Sequence, residues 1–206
     1  MAYSDGDCAK AYTIVLAGDR GVGKSCITQR HKSYQLFREP WPTVGVEFYS
    51  RLIQLDSRTT MKANIWDTSG QEQYYNIVSS FFRRAKGAVI VYDVADRESF
   101  CSIRKWADAV QERGDPDIVI ALVGNKLDLV QNCPGARATS PEEAALYAES
   151  KGFHWAEVSA VSFAGIEEAF KTLLGDIHQR DMAKPTQTTN VLLKKLQTEG
   201  NSCFRQ

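Results

Sequence analysis

A glycine-rich stretch near the N-terminus has the residue types and spacing of a phosphate-binding loop. Residues 18–25 read GDRGVGKS and satisfy the pattern G-x-x-x-x-G-K-[ST]. In such a loop the glycines let backbone N–H groups point at an anion, the lysine reaches the β and γ phosphates, and the hydroxyl binds Mg²⁺. A glycine-rich turn without a ligand would not need this lysine and hydroxyl. The predicted nucleotide contacts here are Asp19, Arg20, Gly21, Val22, Gly23, Lys24, Ser25 and Cys26.

A second motif indicates which base the nucleotide carries. Asn125, Lys126 and Asp128 belong to the sequence NKLD, directly after an apolar run at 118–123. Ligands of open α/β sheets bind at the carboxyl ends of strands. The Asp128 carboxylate can accept hydrogen bonds from N1–H and the 2-amino group of guanine, and a site built for such a match discriminates by about 10⁴-fold. The motif therefore favours a guanine nucleotide, although the tetrapeptide alone is equally compatible with a capped loop.

A third motif, at 67–71, could bind a metal ion and activate water. Asp67 can hold Mg²⁺ through water, Gly70 can offer its N–H to a γ phosphate, and Gln71 can orient the attacking water. Thr43, in a proline-flanked segment, could join the Mg²⁺ shell only while GTP is bound, which would make a switch. In isolation, an Asx or threonine turn would be the simpler explanation of residues 67–71. The predicted metal ligands are Ser25, Thr43 and Asp67, and the predicted catalytic residues are Gln71, Lys24 and Thr43.

A fourth segment follows a further predicted strand that ends at Glu157. The backbone N–H groups of Ser159 and Ala160 could meet O6 of guanine. Because Ser-Ala after a strand is common, this segment gains its weight only from its position after the other three motifs.

Composition describes an ordinary globular chain and excludes several classes. The 206 residues include 25 Lys plus Arg and 25 Asp plus Glu, so the formal net charge is zero. That balance predicts no basic surface for nucleic acid. No apolar run approaches the ~20 residues of a membrane-spanning helix. The five cysteines are scattered, odd in number and without metal-ligand spacing, which is typical of a reducing compartment. We expect a cytoplasmic monomer.

Short apolar runs alternate with amphipathic stretches, which predicts an α/β fold with a mostly parallel sheet and helices on both faces. Two neighbouring segments, 46–56 and 60–66, instead predict a hairpin and hence one antiparallel edge strand. Ser140 is a predicted N-cap. We place the domain at 11–182, after an N-terminal extension at 1–10 and before a flexible polar tail at 183–206. The other predicted strands lie at 12–17, 88–92 and 118–123, and the predicted helices at 99–110, 141–150 and 165–177.

Taken in order, these segments resemble the Ras superfamily over roughly residues 10 to 180, and closer features are similar to its Rab branch. The segments that carry the resemblance are GDRGVGKSC, TVGVEF, IWDTSGQE, SSFFRRAKGAVIVYDV and VGNKLDL. The resemblance implies a small G domain with a six-stranded sheet. It also implies a cycle in which an exchange factor loads GTP, effectors bind the GTP form at endomembranes, and a GTPase-activating protein triggers hydrolysis. Phe48, Trp66 and Phe81 fall where Rabs carry an aromatic triad that contacts effectors, and packing aromatics are the plainer interpretation.

Several positions depart from the family pattern. Arg20 stands where a small residue is usual, beside the γ phosphate and the catalytic glutamine, so we expect either slowed hydrolysis or a side chain that only faces solvent. Ser69 replaces alanine, Val161 replaces a long side chain that packs on the base, and Leu36 replaces an aromatic. Two other functions stay open: a GTP-bound module that recruits effectors with negligible turnover, and an ATP-using kinase, against which NKLD argues.

The end of the sequence carries a candidate lipidation site. Cys203 begins the tetrapeptide CFRQ, which has the C-a-a-X form of a prenylation signal. Most Rabs have two cysteines for two prenyl chains, and one chain anchors a protein only marginally. We expect peripheral association with the cytoplasmic face of endomembranes, with an unmodified tail as the alternative.

Overall fold

Six strands form one sheet in the computed structural model, which describes residues 10–34, 45–68 and 80–184. The strand order is β2-β3-β1-β4-β5-β6. The β2–β3 pair is antiparallel, and every other neighbouring pair is parallel. The predicted mostly parallel sheet with an antiparallel edge strand is therefore confirmed. The strands are β1 (Ala11–Ala17), β2 (Val46–Gln54), β3 (Thr60–Thr68), β4 (Gly87–Asp93), β5 (Val119–Asn125) and β6 (His154–Glu157).

Helices cover both faces of the sheet. They are α1 (Lys24–Ser33), α2 (Arg97–Cys101), α3 (Ile103–Arg113), α4 (Leu127–Asn132), α5 (Pro141–Lys151) and α6 (Ile166–Ala183), with a 3-10 turn at Pro134–Ala136. Residues 80–82 are also helical. Along β1, Ile14 and Leu16 pack into the core that contains α1 and α6, while Val15 and Ala17 pack into the core that contains α3. Because successive side chains of a strand point to opposite faces, both faces must be apolar, which explains the continuous apolar runs in the sequence.

The predicted helix at 99–110 is wrong in extent, because the structure has two helices there, α2 and α3, separated by Ser102. The first begins at Arg97, since the Asp96 side chain accepts a hydrogen bond from the Glu98 N–H as an N-cap. Ser99 is buried, and its hydroxyl accepts from the Asp93 N–H at 3.0 Å. A side chain that bonds the backbone in this way competes with regular helical pairing.

The hairpin and α5 follow the predictions closely. The strand β2 ends at Gln54 rather than at residue 56, because the Asp56 carboxylate accepts from the Arg58 and Thr59 N–H groups and closes the turn. The N-cap of α5 is Ser140, as predicted, and Pro141 occupies the first turn. Helix α6 extends to Ala183, one residue beyond the predicted domain boundary. Among the described residues, every helix is too short or too polar to cross a bilayer.

A buried histidine links α1, β2 and α6. The His31 ring stacks on Phe170 with centroids 4.2 Å apart, and its Nδ1 atom lies 2.9 Å from the Tyr49 hydroxyl. Its Nε2 atom is buried without a hydrogen-bond partner among the described residues. Burial, together with the nearby charge of Arg51, lowers the pKa of His31 from 6.5 to about 3.

This histidine should make the fold sensitive to acid. Between pH 6.5 and about 3 the unfolded chain binds a proton that the folded protein does not, so the free energy of unfolding falls as the pH drops. At pH 5 the loss is ~2 kcal/mol. We expect His31→Phe to remove this loss in the free energy of unfolding, as measured by urea unfolding at pH 7 and pH 5 at one fixed nucleotide concentration. Tyr49→Phe, which keeps the histidine, should retain the pH dependence, and an unchanged dependence in His31→Phe would contradict the assignment.

Candidate nucleotide-binding site

The predicted motifs that the structure describes meet at one edge of the sheet. The phosphate loop follows β1, Asp67 lies near the end of β3, Asn125 ends β5, and Ser159 follows β6. These four strands are parallel to one another, so their carboxyl ends point the same way. Open α/β sheets bind ligands at this edge.

Two glycines of the phosphate loop occupy positions that no other residue could take without displacing a neighbour. Gly18 has φ +137°, and a Cβ atom there would lie 2.3 Å from the Val91 carbonyl oxygen. Gly23 has φ +95°, and a Cβ atom there would lie 2.2 Å from Asn125 Nδ2. Glycine tolerates both the positive φ and the close approach. The loop can therefore curl tightly between β1 and the N-terminus of α1, where helix N–H groups favour an anion.

Lys24, the first residue of α1, folds back over the loop. Its Nζ atom donates to the Gly18 and Asp19 carbonyl oxygens, each at 2.8 Å, and the residue is only 5% exposed. Burial lowers the pKa of Lys24 to about 8, although the charges of Asp67 and Asp19 oppose that shift. A buried ammonium group whose hydrogen bonds run to two neutral carbonyls would be stabilised further by phosphate oxygens.

The side chain of Asp19 is held from outside the loop. Trp106 in α3 donates its indole N–H to Asp19 Oδ1 at 2.8 Å. Sequence reasoning missed Trp106, although a largely buried indole N–H needs an acceptor and the nearby loop offers one. Arg20 and Gly21, at the tip of the loop, are exposed.

Asp67 could serve a metal ion. The residue is 1% exposed, and its Oδ1 atom is buried without a hydrogen-bond partner among the described residues. Its Oδ2 atom accepts from the Thr28 hydroxyl at 3.3 Å. Burial raises the pKa of Asp67 to about 6, opposed by a hydrogen bond from Ser25 and by the charge of Lys24. A buried carboxylate beside a hydroxyl is the kind of oxygen donor set that Mg²⁺ takes, so these residues fit the ion.

Part of the predicted site lies outside the described residues. These positions are Leu36, Thr43, Ser69, Gly70, Gln71 and Cys203. The switch role of Thr43, the water-orienting role of Gln71 and the prenylation of Cys203 therefore stay predictions.

Asn125 joins the phosphate loop to the loop after β6. The residue is 1% exposed; its Nδ2 atom donates to the Val22 carbonyl oxygen at 2.9 Å, and its Oδ1 atom accepts from the Ala160 N–H at 3.1 Å. Ser159 donates its hydroxyl to Asp128 Oδ1 at 2.5 Å. One buried amide and one hydroxyl thus tie three separate loops into a single arrangement.

The predicted roles of the Ser159 and Ala160 N–H groups need refinement. The Ser159 N–H donates to the Ala164 carbonyl oxygen at 3.0 Å, which closes its own loop. The Ala160 N–H already faces Asn125, so guanine O6 would share that donor with the asparagine side chain. Val161 is 53% exposed at the same rim.

The left-handed backbone conformation of Lys126 sets the position of Asp128. Lys126 has φ 68° and its Nζ atom lies 2.6 Å from Asp93 Oδ2. The Leu127 N–H donates to the Val158 carbonyl oxygen at 3.1 Å. This turn starts α4 and places Asp128 in its first turn. Sequence reasoning did not predict α4, because the helix is only six residues long and begins from an unusual conformation.

The three aromatics predicted as an effector surface form one cluster of mutually tilted rings. Phe48 and Trp66 face each other across the β2–β3 pair with ring centroids 4.7 Å apart, and Phe81 lies 4.8 Å from Trp66. Phe48 is 51% exposed. The rings therefore pack on one another and also present an apolar surface.

Comparison with known proteins identifies the family. A family model described as the Ras family matches residues 13–179. Ras-related protein RABA2a of Arabidopsis thaliana is 38% identical over 191 residues, which cover 91% of this chain and 86% of that protein. Rab2BV of Beta vulgaris is 41% identical over 167 residues, 81% of this chain and 76% of that protein. RGP2 of Oryza sativa subsp. japonica is 38% identical over 174 residues, 84% and 78% of the two chains. The chain therefore belongs to the Rab family of Ras superfamily small GTPases and is an enzyme that hydrolyses GTP.

Proposed function

We propose that this GTPase binds GTP and GDP together with Mg²⁺ and acts as a nucleotide-dependent switch in membrane trafficking. The observation that carries the proposal is the double hydrogen bond of Asn125, to the Val22 carbonyl and from the Ala160 N–H. Through it, the loop that holds Lys24 and the loop that would read the base serve a single ligand.

Each residue has a defined task in this proposal. Lys24 and the amides of the phosphate loop bind the β and γ phosphates, while Asp128 recognises the N1–H and 2-amino edge of guanine. Ser25, Asp67 and Thr43 would hold Mg²⁺, which when bound neutralises charge on the phosphates. Gln71 orients the water that attacks the γ phosphate. Most of the activation barrier to GTP hydrolysis is lowered by positioning the reactants and stabilising the developing charge. These groups therefore need not form a covalent bond to the substrate.

Titration calorimetry with GDP and ADP, each with and without Mg²⁺, tests the proposal. We expect a strong preference for GDP and tighter binding with the ion. Equal affinity for the two diphosphates, or no effect of Mg²⁺, would overturn it.

The relatives and the partly exposed aromatic cluster support a role at membranes with partner proteins. The cluster of Phe48, Trp66 and Phe81 offers an effector surface, and exchange factors and GTPase-activating proteins would act on the same edge of the domain. Loss of effector binding in Phe48→Ala with unchanged GDP affinity is the expected signature. Retained binding would place the effector contact elsewhere.

A second possibility is that hydrolysis is slow because of Arg20. This exposed side chain stands in the loop beside the expected position of the γ phosphate, where it would crowd Gln71. We expect Arg20→Ser to raise the single-turnover GTPase rate by about tenfold or more, since one well-placed transition-state contact is worth about 10²–10³-fold. Arg58→Ser, in the exposed turn between β2 and β3, is the control. Equal rates for wild type and Arg20→Ser, with and without an activating protein, would end the idea.

A further inference from the structure

The last turn of α1 carries an arginine that reaches across to the loop after β6. Arg30 donates from Nε to the Ala160 carbonyl oxygen and from Nη2 to the Val161 carbonyl oxygen, both at 3.0 Å. The helix that carries it begins at Lys24 in the phosphate loop. One rigid element therefore connects the phosphate end of the site with the backbone of the base-reading loop.

The orientation of Arg30 is fixed by neighbours on several elements. Its guanidinium group lies 5.6 Å from the centre of the Phe163 ring, and Tyr34 meets that ring edge-on at 5.1 Å. Arg51 in β2 stacks over Tyr34 at 4.8 Å and pairs with Glu167 in α6 at 3.1 Å. Phe163 itself has φ 68°, a conformation that a bulky side chain adopts only when its surroundings enforce it. This cluster holds the guanidinium plane toward the two carbonyls.

Ala160 is consequently held from both sides. Its N–H donates to Asn125 Oδ1 and its carbonyl accepts from Arg30. Rotation of either peptide plane would break one of these bonds. The direction of the N–H groups at the rim of this loop, where guanine O6 would lie, thus depends on a side chain that does not itself reach the base.

We propose that Arg30 is a positioning residue for recognition of the guanine O6 atom, and that it thereby sets how long the nucleotide stays bound. The proposal rests on the guanine-nucleotide binding proposed above. An alternative is that the positive charge of Arg30 merely attracts the phosphates. Lysine keeps that charge but cannot present the planar fork of arginine, so Arg30→Lys separates the two.

Dissociation of fluorescently labelled GDP gives the first readout. We expect Arg30→Ala and Arg30→Lys both to release GDP about tenfold faster, the factor that corresponds to one charge-assisted hydrogen bond. Arg97→Ala is a matched control, because Arg97 also makes a bidentate contact, to Glu143 at 2.6 and 2.7 Å, and lies 5.2 Å from a phenylalanine ring, Phe100. It should release GDP at the wild-type rate.

Modified bases give a readout that general loosening of the fold would not move. In 6-thioguanosine diphosphate the O6 acceptor is replaced by sulfur, whereas inosine diphosphate lacks only the 2-amino group that faces Asp128. In Arg30→Ala, the wild-type preference for GDP over the thio analogue should shrink, and the preference for GDP over the inosine nucleotide should stay unchanged.

Three outcomes would overturn the inference. They are wild-type release of GDP by both variants, a wild-type rate for Arg30→Lys alone, which would assign the effect to charge, and equal acceleration for all three diphosphates. If Arg30→Ala does not fold, the lysine variant carries both measurements. A wild-type protein that fails to bind GDP would instead refute the proposed function, so the two failures are distinguishable.

Discussion

Asp128→Asn should lower the affinity for GDP by about 10³-fold or more and raise the affinity for xanthosine diphosphate. The carboxylate would offer two acceptors to the N1–H and 2-amino groups of guanine, whereas an amide would offer one acceptor and one donor. Xanthine carries a carbonyl in place of the 2-amino group and so matches the amide. Ser159 already donates to Asp128 Oδ1, and it can hold the amide oxygen of asparagine in the same place, leaving the NH₂ group for the base.

Competition calorimetry with the two diphosphates measures this exchange of preference. Asp108→Asn, an exposed position on α3, removes the same charge away from the site and should leave both affinities unchanged. An Asp128→Asn protein that still prefers GDP as strongly as the wild type would show that another group reads the base.

Lys24→Met should have opposite effects on binding and on stability. Binding of GTP should weaken by about 10³-fold, because the buried ammonium group of the phosphate loop would no longer pair with phosphate oxygens. The nucleotide-free protein should resist unfolding as well as the wild type, or better by up to ~3 kcal/mol, since burial lowers the pKa of Lys24 to about 8 and the charged form is disfavoured in the fold by that amount at pH 7.

Urea unfolding without nucleotide, alongside GTP titration, tests both halves. Lys62→Met, on an exposed position of β3, is the control for removing one lysine. A large loss of stability in Lys24→Met would mean that its bonds to the Gly18 and Asp19 carbonyls outweigh the cost of burying the charge.

Local patterns predicted most of the fold. The strands β4 and β5 carry no charged or amide side chain before Asp93 and Asn125 at their ends, and all seven residues of each strand are buried. The ends of the helices and strands were harder to predict, because they depend on side chains that form hydrogen bonds with the backbone. Because Asp96 caps α2, the helix begins before the predicted residue 99, and because Asp56 closes the following turn, β2 ends before the predicted residue 56. Such contacts shift the end of a helix or strand by one or two residues, and hydrophobic periodicity cannot predict a shift that small.

The residues of the candidate site also differ in how well the sequence predicts them. Lys24, Asn125 and Asp128 lie in short motifs whose spacing is set by a single loop, so the sequence alone was enough to propose a role for each of them. Trp106 and Arg30 contact the same loops from helices 87 and 130 residues distant in sequence from their partners. No spacing rule connects such residues, and only the packing of helices on the sheet brings them together.

The bridging position of Asn125 has a consequence for nucleotide release. Its two hydrogen bonds run to different loops, and the amide occupies the space that a side chain at position 23 would fill. A regulator that displaces Val22 would therefore weaken the contacts to the purine as well as those to the phosphates. Displacement of Ala160 would likewise weaken the contacts to the phosphates. We therefore expect that displacement of either loop is enough to release the nucleotide, and that its base and its phosphates leave together.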